Sequence, residues 1–254
     1  MNRKDIAAFF DIDGTLLALP SLERRFFARL RSSRAIPMRN YLFWLARAVH
    51  LVPQGPATMR HSNKMYLRGV GVEECKKSSK HGQPEMAVPR FFAEAIEQIA
   101  WHARQGHAIV LVSGTLAPLA MEVALALTMR LAVRGIAATV AVCATQLEER
   151  GGRWTGRIAG EAMFGEAKAR AVRRMIRENK FNALECYAYG DRWNDRAMLE
   201  AVGRAVAVNP ASRLARFARR KKWPVLLWAN KKNSPQSSQR QSEPRAEEIW
   251  EKVG

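Results

Sequence analysis

Cysteine is scarce in this chain of 254 residues, which carries only Cys75, Cys143 and Cys186. The number is odd and no CxxC pair occurs, so neither a disulfide framework nor a zinc knuckle is indicated, and a reducing cytoplasm is the expected setting. Long apolar runs are lacking as well. After Met1-Asn2-Arg3-Lys4 the apolar stretch Ile6 to Phe10 stops at Asp11, too soon for a secretion signal. The most apolar long segment, Leu116 to Val133, contains Glu122 and Arg130 and reads as a buried helix, so no transmembrane segment is expected. Acidic residues are few: 23 Asp and Glu stand against 42 Lys and Arg, a formal charge of +19. Such an excess can steer a phosphorylated substrate or meet nucleic acid or an anionic membrane. The basic residues are spread along the chain, with tight runs only at Arg219 to Lys222 and at Lys231-Lys232. No specific nucleic-acid partner is therefore expected, and peripheral contact with an anionic surface stays open.

What is present is a globular composition, 48% apolar, long enough for one sizeable core and an insertion. The stretch around which the rest is organised is Asp11-Ile12-Asp13-Gly14-Thr15, at the end of the short apolar strand Ile6 to Phe10. Residues i and i+2 of a strand share a side, and open α/β sheets keep their chemistry at the C-terminal ends of strands. Asp11 and Asp13 are thus expected to converge on one small volume, where two carboxylates repel unless a cation or a shared proton lies between them. A hard divalent ion such as Mg²⁺, which prefers oxygen ligands and substrate phosphates, suits that volume.

Pro20-Ser21 can open a helix with Ser21 as its cap. From Leu22 to about Val88 helical spacing dominates, through Phe26, Phe27 and Leu30, then Tyr41, Leu42, Leu45, Ala46 and Val49, then Met59 to Leu67. Breaks at Pro53 to Pro56 and Gly69 to Gly71 divide this insertion, Lys76 to Gly82 reads as an exposed loop, and Met65 with the paired Phe residues is its expected core. A helix with Phe91, Phe92, Ala95, Ile96 and Ile99 on one face precedes a buried strand, Ala108 to Val112, that ends at Ser113-Gly114-Thr115; the run from Leu116 to Arg134 is its crossover helix. A strand near Ala138 to Ala144 leads to a hairpin turning at Gly151-Gly152. Gly165 to Asn179 is helical, with Lys168 in its first turn, an awkward place for a cation unless it reaches towards negative charge. Leu184 to Tyr189 is a strand ending at Gly190-Asp191-Arg192-Trp193-Asn194-Asp195, and Ala205 to Val208 and Val225 to Trp228 are further strands. Beyond Ala229 the composition turns polar and basic, and the tail 229–254 is expected to be disordered.

Three apolar strands thus end in Asp11 and Asp13, in Ser113, and in Asp191 with Asp195. Together with Lys168, they resemble, in order, the motifs of the haloacid dehalogenase superfamily of phosphohydrolases, in its phosphoserine-phosphatase-like branch. The resemblance covers roughly residues 5–17 and 88–228. It implies an α/β fold: a Rossmann-like parallel sheet core, 1–17 and 88–228, with helices on both faces and a small helical cap, 18–87, inserted after the first strand. It further implies a phosphatase in which Asp11 is the nucleophile that becomes an aspartyl phosphate and Asp13 is the general acid and base. Mg²⁺ would be held by Asp11, the Asp13 main-chain carbonyl and Asp191, with Asn194 and Asp195 behind it. Ser113, the Gly114 amide and Lys168 would bind the transferring phosphate. The implied substrate is a small phosphorylated metabolite, phosphoserine-like or lipid-derived.

Two features depart from that pattern. Arg192 and Trp193 stand where members often carry a small residue, and the nearest glutamate in the cap, Glu23, does not align securely with a substrate-reading one. Glu23, Arg24, Arg25 and Arg60 are the cap residues to watch. The reading from another class is a catalytically weak protein of the same fold that holds nucleic acid or anionic membrane through its basic surface.

Overall fold

Strand β1 (Ala7–Phe10) lies third in a six-stranded sheet whose order is β3-β2-β1-β6-β7-β8. The computed structural model describes residues 5–55, 61–74 and 90–229. Arg60, Cys75, the stretch from Lys76 to Gly82 and the tail from residue 230 fall outside them. The other strands of the sheet are β2 (Ala108–Leu116), β3 (Val140–Thr145), β6 (Tyr187–Gly190), β7 (Arg204–Val208) and β8 (Val225–Leu226), all pairing in parallel. β1 is flanked on both sides, with Phe9 opposite Val110 of β2 and Ala188 of β6. Every side chain of β1 is buried, which is why it reads as a continuous apolar run without alternation.

The two-residue period decides which helices each side chain meets. Ala8, Phe10, Ile109 and Leu111 point into one core layer with α3 (Ala93–Arg104) and α4 (Ala117–Ala132). Ala7, Phe9, Val110 and Val112 point into the other, with α5 (Glu166–Glu178), α6 (Arg196–Leu199) and α7 (Ser212–Lys221). Helices therefore cover both faces, as a parallel sheet requires. α7 is absent from the sequence-based expectation. Its buried residues, Leu214 and Ala218, are only one i, i+4 pair among basic neighbours.

Among the described residues between β1 and α3 lie α1 (Leu22–Ser32), α2 (Arg39–Leu51) and two 3₁₀ turns, Val52–Gln54 and Met65–Leu67. Ser21 caps α1, its Oγ accepting from the Arg24 amide at 3.4 Å. Phe26, Leu30, Ile36, Tyr66, Leu67 and Val70 form a separate core that also takes in Leu116, Leu119 and Trp154. Met65, expected in that core, is only half-buried. Trp154 comes from the antiparallel hairpin β4 (Leu147–Arg150) and β5 (Arg153–Ile158), whose turn has Gly151 and Gly152 at φ 55° and 72°. Among the described residues no helix is long and apolar enough to cross a membrane.

A candidate catalytic centre at the strand ends

Asp11 leaves the sheet directly after β1, and its amide still donates to the Tyr189 carbonyl of β6 at 3.0 Å. The chain then coils tightly, with the Leu16 and Leu17 amides both donating to the Ile12 carbonyl. Gly14 adopts φ 97°, and a Cβ at this position would stand 2.2 Å from Asp191 Oδ2. Glycine is thus required twice over, for the backbone and for the carboxylate pressed against it.

Asp191 follows β6, and Asp195 ends the turn Trp193–Asp195 that begins the next crossover. Gly190 plays a similar part, since a Cβ there would meet Asp195 Cβ at 2.6 Å. Oxygens of Asp11, Asp191 and Asp195 lie within 4.8 Å of one another, and all three residues are buried. Lys168, from the first turn of α5, crosses the space: its Nζ donates to Asp11 Oδ1 at 2.5 Å and to Asp195 Oδ1 at 2.6 Å. The awkward position of this cation at a helix N-terminus is resolved by the two carboxylates it reaches. Asp195 also accepts from the Arg192 amide at 3.0 Å.

The electrostatics follow from burial. Removal from water pushes the Asp11 carboxyl up to about 7, with Lys168 opposing and Asp195 adding to the rise. Burial, reinforced by Asp11 and Asp195, pushes Asp191 up to about 8. Burial acts against the Lys168 charge, but Asp11 and Asp195 outweigh it and raise its pKa. Lys168 thus serves Asp11 and Asp195, Asp191 has the exposed Arg192 at its Oδ2, and Asp191 Oδ1 is buried without a hydrogen-bond donor. Hard oxygen donors, an excess of negative charge and an orphaned carboxylate oxygen together fit a divalent cation.

The Asp13 carboxylate lies beyond the end of β1, near enough to Asp11 and Lys168 for their charges to interact but outside the cluster of three carboxylates. Its Oδ1 accepts from the Leu22 amide at 2.8 Å, at the start of α1. Burial raises its pKa, the Leu22 hydrogen bond resists, and the negative charge of Glu23 adds to the rise. Asp195 lies in the same cluster as Asp11 and Asp191, with its Oδ1 held by Lys168.

Ser113 is buried in β2, its Oγ accepting from the Thr115 amide at 3.3 Å. The register with β3 shifts between Ser113 and Leu116, and Thr145 Oγ donates to the Gly114 carbonyl at 2.9 Å. A Cβ on Gly114 would come within 3.3 Å of the Met163 carbonyl and 3.6 Å of His61 Nδ1. His61, whose ring stacks on Phe164 at 4.7 Å, brings the insertion to this strand end, and nothing in the sequence pattern singles it out.

Glu23 is engaged within the insertion. Both its oxygens accept from the buried Lys64 Nζ, at 2.5 and 2.7 Å, and Oε1 also accepts from the Tyr66 hydroxyl at 2.8 Å. The signal that could have found Lys64 is a lone lysine directly before the apolar Met65-Tyr66-Leu67. Arg25 holds the entry to α1, donating to the Ala18 and Pro20 carbonyls, and Arg24 is exposed. Arg192 reaches back to Asp191 Oδ2 at 3.3 Å, while Trp193 is taken up by α7, with Arg213 3.8 Å over its ring and Phe217 edge-on. Asn194 is half-buried in the same turn. A cleft of about 990 Å³ is lined by Arg47, His50, Met65, Arg157, Glu166 and Arg170, and neither the clustered carboxylates nor Lys168 and Ser113 are among its lining residues.

The description haloacid dehalogenase-like hydrolase matches residues 8–200. A probable phosphatase of Mycobacterium tuberculosis is 33% identical over 234 residues, covering 89% of this chain and 77% of that protein. A phosphoserine phosphatase of the same organism is 30% identical over 225 residues, covering 86% and 70%. Among solved structures, a protein of unknown function from Bordetella pertussis superposes with a TM-score of 0.64 at 23% identity, over 87% of this chain and 97% of that one. An apo phosphoserine phosphatase superposes with a TM-score of 0.55 at 17% identity, over 87% and 92%. With the match running through all three strand ends that carry the carboxylates and Ser113, the chain belongs to the haloacid dehalogenase-like hydrolases.

Proposed function

We propose that this protein is a Mg²⁺-dependent phosphomonoester hydrolase that works through an aspartyl phosphate on Asp11. The observation that carries the reading is the single buried volume holding Asp11, Asp191, Asp195 and Lys168. A phosphoryl group needs in-line position and neutralised charge more than covalent help, and this volume supplies both. An Asp11 oxygen bonds to phosphorus while the ester P–O bond breaks, and Asp13 gives a proton to the departing oxygen. Asp13 then takes a proton from a water whose oxygen attacks phosphorus, which frees phosphate and Asp11. The burial-raised pKa of Asp13 suits a group that must carry and release that proton. Ser113, the Gly114 amide and Lys168 would hold the phosphate oxygens. Asp11, Asp191 and the Asp13 carbonyl, with Asp195 adjoining, would hold the cation, which when bound neutralises the charge of the transferring group.

The substrate we infer is a small phosphorylated metabolite, phosphoserine-like or lipid-derived. The 30% identical phosphoserine phosphatase supports the first. Glu23, already satisfied by Lys64 and Tyr66, is not available to a serine ammonium without breaking that pair. The test is phosphate release from phosphoserine, glycerol phosphate and lysophosphatidate, with and without Mg²⁺. Release should need Mg²⁺, stop in chelator, fall when Ca²⁺ replaces Mg²⁺, and vanish in Asp11→Asn. Turnover that persists in chelator or in Asp11→Asn would refute the reading.

A further inference from the structure

Helix α2 holds its buried side with few contacts. Asn40 Nδ2 donates to the Tyr66 and Arg68 carbonyls at 3.0 and 2.6 Å, Asn63 Nδ2 donates to the Trp44 carbonyl at 2.8 Å, and Ala48 and Leu51 are buried. A second side is apolar and faces water. Met38 is 81% exposed, Leu42 71%, Leu45 58%, Val49 66% and Val52 62%. These residues recur at i, i+4, i+7, i+11 and i+14, the spacing of one stripe along a helix. At about 100° per residue, Arg39 and His50 fall on a third sector beside the stripe, while Arg47 falls opposite it. Among the described residues nothing covers the stripe, and an apolar strip of this length left in water marks a contact surface.

The surrounding charge names the contact. Between Glu23 and Glu73 the chain has no acidic residue, but nine arginines and one lysine. We propose that α2 is an interfacial helix that docks this protein on an anionic phospholipid bilayer, with the stripe at the acyl boundary and Arg34 and Arg39 among the headgroups. An apolar stripe with a basic flank, lying in the plane of the interface, is the form such helices take. A second copy of this chain would bring an equally cationic segment against the first, and nucleic acid offers nothing to the apolar stripe. The inference does not rest on turnover, since its readout is binding.

The experiment is co-sedimentation of the full chain with phosphatidylcholine vesicles, with and without phosphatidylglycerol. Binding should need the anionic lipid and persist in part at salt concentrations that screen surface charge. Leu42→Ser, Leu45→Ser and Val49→Ser together should weaken it by roughly a thousandfold, about tenfold for each side chain withdrawn from the acyl boundary. Their exposure makes an unchanged unfolding midpoint the expected control. Arg34→Gln with Arg39→Gln should remove the preference for anionic lipid. Hydrogen exchange on the unsubstituted protein should show vesicle-dependent protection in residues 38–52, which tests the same surface without any substitution. Undiminished binding of the triple serine variant would assign the lipid contact to the basic helix α7 or the tail and overturn the proposal. A solution dimer that Leu45→Asp separates would give the stripe to a second copy and overturn it equally.

Discussion

Gly14→Ala is the sharpest test of how the centre is built. The residue sits at φ 97°, where an added Cβ costs about 1–2 kcal/mol in backbone energy alone. That Cβ would also lie 2.2 Å from Asp191 Oδ2, against the 3.0 Å below which Cβ contacts are essentially never seen, so the carboxylate must retreat by at least 0.8 Å (3.0 minus 2.2). A displacement of about 1 Å at a reacting centre costs on the order of a hundredfold in rate. The variant should therefore lose about a hundredfold in turnover, bind Mg²⁺ more weakly, and unfold roughly 2–8 °C lower. Gly106→Ala is the matched control, because Gly106 has φ 77° and nothing within 4 Å of its Cβ position. It should show a similar fall in unfolding midpoint with turnover unchanged. The assay is steady-state hydrolysis of p-nitrophenyl phosphate across a Mg²⁺ titration, with thermal unfolding of all three proteins. If Gly14→Ala and Gly106→Ala lost turnover equally, or Gly14→Ala kept full activity, Asp191 would not be a group whose position matters.

Three further outcomes are expected. Asp13→Asn should give a burst of p-nitrophenol, about stoichiometric with enzyme, and then stall at the aspartyl phosphate, because this leaving group hardly needs the proton but hydrolysis does; Asp11→Asn should show neither phase, and a burst without phosphate on Asp11 by mass spectrometry would reassign the nucleophile. His102 is buried, 2.8 Å from both His107 Nδ1 and the Tyr189 hydroxyl, and burial, then the His107 charge, hold its pKa well below 6.5. Its neutral form is favoured in the fold, so the unfolded chain binds the proton first and stability should fall as pH drops below 6.5 towards the folded pKa. A urea midpoint with the same pH slope in His102→Gln as in the unsubstituted protein would contradict this. Glu23→Ala leaves the Lys64 ammonium buried without its carboxylate and should cost about 3 kcal/mol, the low end for a broken buried pair because the Glu23 side chain keeps 22% exposure. Lys64→Met added to it should recover most of the loss in urea unfolding, and no recovery would show that the pair is not the source.

The sequence by itself determined what depends on short range. A continuous apolar strand, a glycine after two carboxylates and a helix cap at Ser21 are decided by backbone geometry within a few residues, and the sheet, the strand ends and most crossovers were legible for that reason. α7 was not, because its two buried residues are outnumbered by arginines that solvate freely. Tertiary structure alone decided which groups satisfy one another. Lys168 meets Asp11 across 157 residues of sequence, and only the folded sheet brings α5 over β1. Asp13 accepts from the Leu22 amide at the start of α1 while its charge still reaches Asp11, and Glu23 is neutralised by Lys64 and Tyr66 from a distant turn. The spacing of Leu42, Leu45 and Val49 announced a helix with an apolar side. Whether that side met the core or water depended on what packed against it, and the polar anchors at Asn40 and Asn63 turn it outward.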